Sequence, residues 1–173
     1  MIWLIIFFIV FIAISITMFQ ATFIAAPWVP SGRKTINKII EVAGIKKDDL
    51  VYDLGSGDGR WLIRIAKNTE ASKVIGFEIS LLPYIISRVK LLFTRKNNIK
   101  VLFNDFLKTD LSKANVILCF LTPKAMIKLE PKLKNELKPN STFISYAFKL
   151  PNTKPHSIAK VGSKSLPIYL YKY

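Results

Sequence analysis

The strongest constraint on the fold is a glycine-rich turn that directly follows an apolar run. The run Leu50–Leu54 has the length of a buried β-strand, and the turn Gly55–Gly59 (GSGDG) leads into the amphipathic stretch Trp61–Thr69. Glycines let the backbone turn tightly and let a ligand approach the main chain closely. A tight turn without a ligand would need the same residues, so this pattern alone predicts a strand-turn-helix unit.

Apolar runs of strand length alternate with helical patterns along the rest of the chain. Further helices are predicted over Ser31–Val42, Ser80–Lys96 and Lys124–Leu137. The strands are predicted at Leu50–Leu54, Lys73–Ile79, Ile99–Phe103, Asn115–Leu121, Thr142–Phe148, Ser157–Val161 and Ile168–Tyr173. This alternation favours an α/β fold with a doubly wound, mostly parallel sheet of seven strands. The link between the last two strands is too short for a crossover helix, so they should form an antiparallel hairpin.

The beginning of the chain differs in composition from the remainder. Residues Met1–Gly32 contain no Lys, Arg, Asp or Glu, and Gln20 is the only strongly polar side chain within Ile2–Ala26. As a helix this run would extend about 37 Å, which exceeds the roughly 30 Å of bilayer hydrocarbon. The composition therefore predicts one transmembrane helix, with residues 1–32 as the anchor and its connection to a separate domain, 33–173. A cleaved signal peptide is the alternative, but no basic residue precedes the run and the run is long for such a peptide.

Basic residues set the predicted location and limit the partners. Arg33, Lys34 and Lys38 follow the apolar run, so the positive-inside rule places the domain on the cytoplasmic side of the membrane. The chain has 26 basic and 11 acidic residues and a formal net charge of +15. This favours an anionic partner, either nucleic acid, a membrane face or an acidic protein, without choosing among them. The single cysteine, Cys119, excludes a disulfide within the chain and a cysteine-based zinc site, and no metal is predicted.

Acidic residues near the turn indicate the kind of ligand. Glu78 ends the second predicted strand, where a carboxylate can accept hydrogen bonds from both hydroxyls of a ribose. Asp53 comes two residues before the first glycine of the turn. Together with Asp58 it would repel a pyrophosphate and favour a ligand that carries a cationic ammonium and sulfonium. For Asp58, an ordinary acid at a helix N-terminus is an equal alternative.

A further polar group follows the third predicted strand. Asn104, Asp105 and Phe106 should face the same crevice, because ligands bind at the carboxyl ends of parallel strands. Asp105 can accept a hydrogen bond from an adenine amino group, and Phe106 can lie against the ring. The alternative is an Asx-type turn at Asp105 and a core aromatic at Phe106.

The sequence resembles the class I S-adenosylmethionine-dependent methyltransferases over essentially all of Pro30–Tyr173. More narrowly, it resembles the small protein lysine methyltransferases, which include an archaeal enzyme and mitochondrial inner-membrane enzymes acting on adenine nucleotide translocase and the ATP synthase c-subunit. The matching stretches are APWVPS (Ala26–Ser31), VYDLGSGDGR (Val51–Arg60), GFEIS (Gly76–Ser80), NDF (Asn104–Phe106), FLTP (Phe120–Pro123), LKNELKPNS (Leu133–Ser141) and YLY (Tyr169–Tyr171). The mitochondrial enzymes also carry a hydrophobic segment before the domain.

The resemblance implies a Rossmann-like methyltransferase domain over residues 33–173 with S-adenosyl-L-methionine as cofactor. It also implies that APWVPS closes over the site. The expected cofactor-binding residues are Asp53, Gly55, Ser56, Gly57, Glu78, Asn104, Asp105 and Phe106.

The end of the fourth predicted strand should line the passage for the amine that is methylated. Phe120, Leu121 and Thr122 occupy this position, and no carboxylate is present there to serve as a general base. Ser145 and Tyr146, near the end of the fifth strand, are weaker candidates. Enzymes that methylate nucleobase amines resemble one another in an Asn/Asp-Pro-Pro-aromatic motif at the end of the fourth strand, so FLTP argues against nucleobase amino methylation and makes nucleic acid an unexpected partner. The basic net charge leaves an RNA substrate open as an alternative.

The expected function is therefore a membrane-anchored methyltransferase that acts on protein lysine side chains. The link between Phe148 and Ser157 has no room for a helix, and the resulting open face suits a protein substrate. A methyltransferase for a membrane lipid or a quinone-like small molecule is the alternative that the anchor would explain equally. A non-enzymatic module with a nucleotide-binding fold is the third possibility.

Overall fold

A computed structural model describes residues 1–24 and 31–173 of the protein, with the side chains of residues 1–12 and 15 in the first helix. The helices are α1 (Ile2–Ile24), α2 (Arg33–Ala43), α3 (Arg60–Asn68), α4 (Leu81–Leu92) and α5 (Pro123–Glu136), with a short 3₁₀ helix at Phe106–Lys108. The strands are β1 (Leu50–Leu54), β2 (Lys73–Glu78), β3 (Ile99–Phe103), β4 (Val116–Cys119), β5 (Thr142–Tyr146), β6 (Ser157–Ala159) and β7 (Ile168–Lys172).

The strands form one sheet in the order β3-β2-β1-β4-β5-β7-β6. The first five of these strands run parallel to one another, and β7 pairs antiparallel with both β5 and β6. The predicted mostly parallel, seven-stranded sheet with an antiparallel hairpin at its end is confirmed. The strand order reverses between β1 and β4, and a crevice opens at such a point beyond the carboxyl ends of the strands.

Apolar side chains cover both faces of the sheet, which explains why the central strands lack polar alternation. In β4, Val116 and Leu118 pack towards α2 and α3, whereas Ile117 and Cys119 pack with the side chains of α5. All four side chains are buried. Burying an aliphatic side chain of this size contributes about 1.5–3 kcal/mol each. The two faces together hold the parallel strands in register.

Five strands end earlier than the sequence pattern predicts, and β4, β5 and β6 each end two residues earlier. β4 ends at Cys119 rather than Leu121, because the chain turns into α5 with Thr122 as its N-cap residue. The Thr122 side chain accepts a hydrogen bond from the Ala125 backbone N–H, and Pro123 begins the helix, where its missing N–H is not needed. β5 likewise ends at Tyr146 rather than Phe148. The shortened strands leave Phe120 and the residues after Tyr146 free of sheet pairing.

Hydrogen bonds from Asn115 connect the amino ends of the central strands. The Asn115 side-chain oxygen accepts a hydrogen bond from the Leu50 backbone N–H at 2.9 Å, and the Asn115 backbone N–H donates to the Leu50 carbonyl at 2.9 Å. The Asn115 carbonyl accepts from the Thr142 N–H at 2.8 Å. One residue therefore ties together the starts of β1, β4 and β5.

The predicted transmembrane anchor is not supported. α1 occupies most of the predicted segment, at Ile2–Ile24. Across residues 1–24 and 31–173, however, no helix combines the length and the apolar character that crossing a bilayer demands. The predicted single-pass membrane location, with the domain on its cytoplasmic side, is wrong on this finding, and the membrane as a partner loses its support.

Candidate active site

The glycine-rich turn lies at the carboxyl end of β1, where the crevice opens. Gly55 and Gly59 both have φ of 75°, a left-handed conformation that glycine adopts without steric cost. A Cβ atom on Gly55 would also lie 3.0 Å from a methyl carbon of Leu121. The backbone N–H groups of Gly55 and Ser56 donate to the Phe77 carbonyl at 2.9 and 3.0 Å. The turn is thus fixed against β2 on one side and against the chain that leaves β4 on the other.

Asp53 is a buried carboxylate beneath this turn. Its side chain is 2% exposed, and its Oδ2 atom has no hydrogen-bond partner among the described residues. Burial raises the pKa of Asp53 to about 8, and the neighbouring carboxylates of Glu78 and Asp58 act in the same direction. An unpartnered buried polar atom destabilises a fold, so such an atom in a crevice fits a ligand that supplies a positive charge. The buried hydroxyl of Ser56 also lacks a partner within the described part of the chain.

Glu78 is held in one orientation by the backbone. Its Oε2 atom accepts a hydrogen bond from the Gly57 N–H at 2.7 Å, and its Oε1 atom accepts one from the Ser80 N–H at 2.7 Å. The side chain is 7% exposed. Each carboxylate oxygen can accept a second hydrogen bond, so the fixed carboxylate can still receive the two hydroxyls of a ribose.

The negative charge of Asp58 is compensated by two basic side chains. The Arg60 guanidinium donates to both of its carboxylate oxygens at 2.8 Å, and the Lys90 ammonium donates to Oδ2. Burial alone would raise the pKa of Asp58, but the hydrogen bonds from Arg60 and Lys90 lower it to about 2. This corrects the sequence argument that Asp58 would repel a pyrophosphate, because its charge is compensated within the protein. Arg60 also donates to the Ser31 carbonyl at 3.4 Å.

The residues after β3 lie beside Glu78, as predicted. The Asn104 N–H donates to the Glu78 carbonyl at 3.1 Å, and the Asp105 Oδ1 atom accepts from the Leu107 N–H at 2.9 Å. The Asx-type turn is therefore present. Phe106 is 3% exposed and belongs to the apolar cluster on the α5 face of the sheet. It lies in the core, which was the alternative interpretation, and it does not present an open ring face to the crevice.

The three residues predicted to line the amine passage occupy different environments. Leu121 is 1% exposed and packs in the core beside Gly55. Thr122 caps α5. Phe120 is half-buried, and its ring meets the ring of Tyr146 edge-on, with centroids 4.8 Å apart and planes inclined by 65°.

Two features of the site are not recognisable in the sequence pattern. Lys90 is 32 residues from its partner Asp58, so only the fold brings the two together. Ala147, directly after β5, has φ of 74°, in the left-handed region that alanine rarely adopts. The segment Ala26–Pro30, expected to close over the site, lies outside the described residues.

Comparisons with known proteins agree with this geometry. The family model described as the ANTKMT methyltransferase domain matches residues 53–157. The protein-lysine N-methyltransferase of Saccharolobus islandicus (strain REY15A) is 34% identical, and the match covers 84% of this chain and 92% of that protein. The lysine N-methyltransferase of the ATP synthase c-subunit from Homo sapiens is 27% identical, and the match covers 84% of this chain and 62% of the human protein.

A solved structure shows the same fold with a bound product of the cofactor. The RNA methyltransferase from Salinibacter ruber, in complex with S-adenosyl-L-homocysteine, superposes with a TM-score of 0.77 at 27% identity, and the match covers 83% of this chain and 93% of that one. The Rossmann-like methyltransferase fold and the cofactor predicted from the sequence are thus confirmed. The chain belongs to the ANTKMT methyltransferase family and is an S-adenosyl-L-methionine-dependent methyltransferase.

Proposed function

We propose that this enzyme methylates lysine side chains of a protein substrate, with residues 33–173 as its catalytic domain. The archaeal and human relatives are both named as lysine N-methyltransferases. The observation that carries the proposal is the end of β4, where the half-buried ring of Phe120 offers an apolar wall and the segment Phe120–Pro123 (FLTP) lacks the Asn/Asp-Pro-Pro-aromatic motif of enzymes that methylate nucleobase amines. An aliphatic amine on a long side chain suits such a wall.

The cofactor would be held at the carboxyl ends of β1, β2 and β3. In this assignment Glu78 accepts hydrogen bonds from the ribose hydroxyls, and Asp105 accepts one from the adenine amino group. Asp53 gives up its proton and balances the positive charge of the ligand, which removes the cost of its unpartnered oxygen. The remaining residues assigned to the cofactor are Gly55, Ser56, Gly57 and Asn104, with Phe106 as support from the core.

S-adenosyl-L-methionine supplies a methyl group on a sulfonium, and the protein has to present a neutral amine in line with it. Apolar surroundings favour the neutral amine over the ammonium, because burial disfavours the charged form. No carboxylate occurs in the sequence at residues 120–122 or 146–148, so the proton leaves to water in this proposal.

The acceptor side of the site is open. Residues 147–156 connect β5 to β6 without a helix, as expected from the sequence. Glu130 of α5 fixes this link, because its carboxylate accepts hydrogen bonds from the Asn152 N–H at 3.1 Å and from the Thr153 hydroxyl. An open but rigid rim admits a side chain that is attached to a folded protein.

RNA is a second candidate substrate. The Salinibacter ruber structure is named as an RNA methyltransferase, and the net charge of +15 would attract a polyanion. The lipid or quinone-like substrate rested on the predicted anchor, and it has lost that support.

Incubating the full-length protein with methyl-labelled S-adenosyl-L-methionine and separate protein, RNA and lipid fractions of a cell extract tests the proposal. We expect label in the protein fraction, recovered as methyl-lysine after acid hydrolysis. The matched control is the Glu78→Ala variant, which should give no label. Label found in RNA alone would refute the lysine assignment while leaving the methyltransferase assignment intact.

A further inference from the structure

We propose that Tyr146 is an acceptor-site residue whose hydroxyl binds the amine that receives the methyl group, with Phe120 holding its ring in place. This inference rests on the proposed lysine substrate and adds a specific residue to it.

The sheet brings Tyr146 to the edge of the crevice. β4 and β5 are parallel neighbours whose last registered pair is Cys119 with Ser145, so the next residues, Phe120 and Tyr146, follow side by side. Tyr146 is the last residue of β5 and pairs with Ile168 of β7. Their rings pack edge-on at 4.8 Å, and the Tyr146 ring is 9% exposed within the apolar cluster on the α2 and α3 face. A ring packed in this way has few alternative orientations, which is what a group that positions a substrate needs.

The hydroxyl of Tyr146 makes no hydrogen bond to any of the described residues. Tyr171, on β7, is different, because its hydroxyl accepts a hydrogen bond from the Leu150 N–H at 2.8 Å. A phenol with a largely buried ring and an unused hydroxyl at the edge of a crevice is a polar group available to a ligand.

The backbone conformation changes directly after Tyr146. Ala147 adopts the left-handed conformation and donates its N–H to the Pro167 carbonyl at 2.8 Å. The Ser145 hydroxyl donates to the Phe148 carbonyl at 2.6 Å. Left-handed alanine is strained, and such strain persists where the surrounding structure enforces it, often at functional sites. Here the left-handed residue directly follows Tyr146, the last residue of β5.

Methyl transfer to an amine benefits from one hydrogen-bond acceptor near the amine nitrogen. A phenol oxygen can accept one N–H of a neutral amine and so direct the nitrogen lone pair towards the methyl carbon. The N–C bond forms as the C–S bond breaks, and the electron pair of the C–S bond stays on sulfur. The extra proton on nitrogen then passes to water through the open side of the site.

The test compares full-length Tyr146→Phe with wild type in four measurements. These are methyl-lysine formation in the protein fraction, S-adenosyl-L-methionine affinity by calorimetry, thermal unfolding, and an NMR titration with Nα-acetyl-L-lysine amide in the presence of S-adenosyl-L-homocysteine. We expect kcat to fall about tenfold and the Kd of the lysine amide to rise about three- to tenfold, because one hydrogen bond is lost. Cofactor affinity and the melting temperature should not change.

Tyr169→Phe is the matched control. Tyr169 lies on β7, where it pairs with Ser145 of β5, and its side chain packs on the α5 face of the sheet, opposite to that of Tyr146. The control variant should behave as wild type. If wild type methylates lysine and Tyr146→Phe keeps its kcat and its lysine-amide affinity, the assignment of Tyr146 is overturned and the proposed function stands. A parallel loss of melting temperature and cofactor affinity would show a structural role and would also overturn it. If wild type forms no methyl-lysine, the proposed function itself fails.

Discussion

Glu78 and Gly57 are joined by a hydrogen bond of 2.7 Å from the glycine N–H to a carboxylate oxygen. The acid at the end of β2 thereby fixes the turn at the end of β1, and the turn fixes the acid. Two segments that are far apart in sequence are set in position before any ligand arrives. Preorganisation of this kind reduces the free-energy cost of binding.

Glu78→Gln should weaken S-adenosyl-L-methionine binding by about a hundredfold or more. A glutamine side chain keeps one acceptor oxygen but places an amide nitrogen against a backbone N–H, so a charge-assisted hydrogen bond and a ribose contact are both lost. Calorimetric titration of the purified variant measures the change. Glu41→Gln, an exposed change on α2, is the control and should bind as wild type. Affinity within threefold of wild type would refute the ribose assignment.

Asp53→Asn should stabilise the ligand-free protein while abolishing cofactor binding. Because the pKa of Asp53 is raised to about 8 in the folded state, the folded state retains a proton that the unfolded chain releases above about pH 4. Wild-type stability therefore falls as the pH rises from about 4 to about 8, and the asparagine variant lacks this decrease.

Urea unfolding of both Asp53 proteins at pH 5 and pH 8 measures the effect. We expect the advantage of the variant to grow with pH and to reach about 1–3 kcal/mol at pH 8. A variant that is less stable than wild type at pH 8 would contradict the unpartnered state of this carboxylate.

Gly76→Ala should lower both the stability and the cofactor affinity. A Cβ atom at this central position of β2 would lie 2.6 Å from a methyl carbon of Leu62 and 2.6 Å from the Ser56 side chain. Overpacking of this kind costs about 1–3 kcal/mol, and the displaced Ser56 belongs to the turn of the site. Thermal unfolding and calorimetry give the two values. Gly162→Ala, where nothing lies within 4 Å of the added atom, is the control and should be neutral.

Glu130→Gln should loosen the link between β5 and β6. Burial alone would raise the pKa of Glu130, but hydrogen bonds from Thr153 and Asn152 and the pairing with Lys134 lower it. A lowered folded-state pKa contributes stability above the unfolded value near pH 4, and this contribution is lost as the pH falls below it. We expect the variant to be about 1–3 kcal/mol less stable at pH 7.

The difference between wild type and Glu130→Gln in urea unfolding should shrink towards pH 3. The variant should also be cleaved faster by protease within residues 147–156, and Glu70→Gln, an exposed change, should not be. If the free energies of unfolding of wild type and Glu130→Gln differ by the same amount at pH 7 and pH 3, Glu130 is not charged in the folded protein.

The sequence predicts the sheet and the cofactor side of the site well, because both depend on local patterns. Asp53, Gly55 and Glu78 each stand at the end of a recognisable strand, and parallel strands necessarily bring such ends together. Side-chain partners are different, since they depend on packing between distant segments. The pairing of Asp58 with Lys90 and the burial of Phe106 follow from how α4 and α5 cover the sheet, which no periodicity encodes.

The sequence predicts the acceptor side less completely, for a related reason. The pattern located Phe120, Leu121 and Thr122 at the end of β4, but only the structure separates the half-buried ring from the core leucine and the helix cap. The left-handed conformation of Ala147 could not be foreseen, because alanine carries no preference for it. The apolar composition of the first residues predicts a membrane span, and the described part of the structure does not support it.

Because Asn115 connects the amino ends of the central strands, that end of the sheet is better suited to chemical labelling than the end that carries the candidate active site. The end that Asn115 closes needs no ligand, and its neighbour Lys113 is exposed. A fluorophore or a surface tether attached at Lys113 would therefore sit a full strand length away from the reacting groups, and turnover should proceed undisturbed on an immobilised or labelled enzyme.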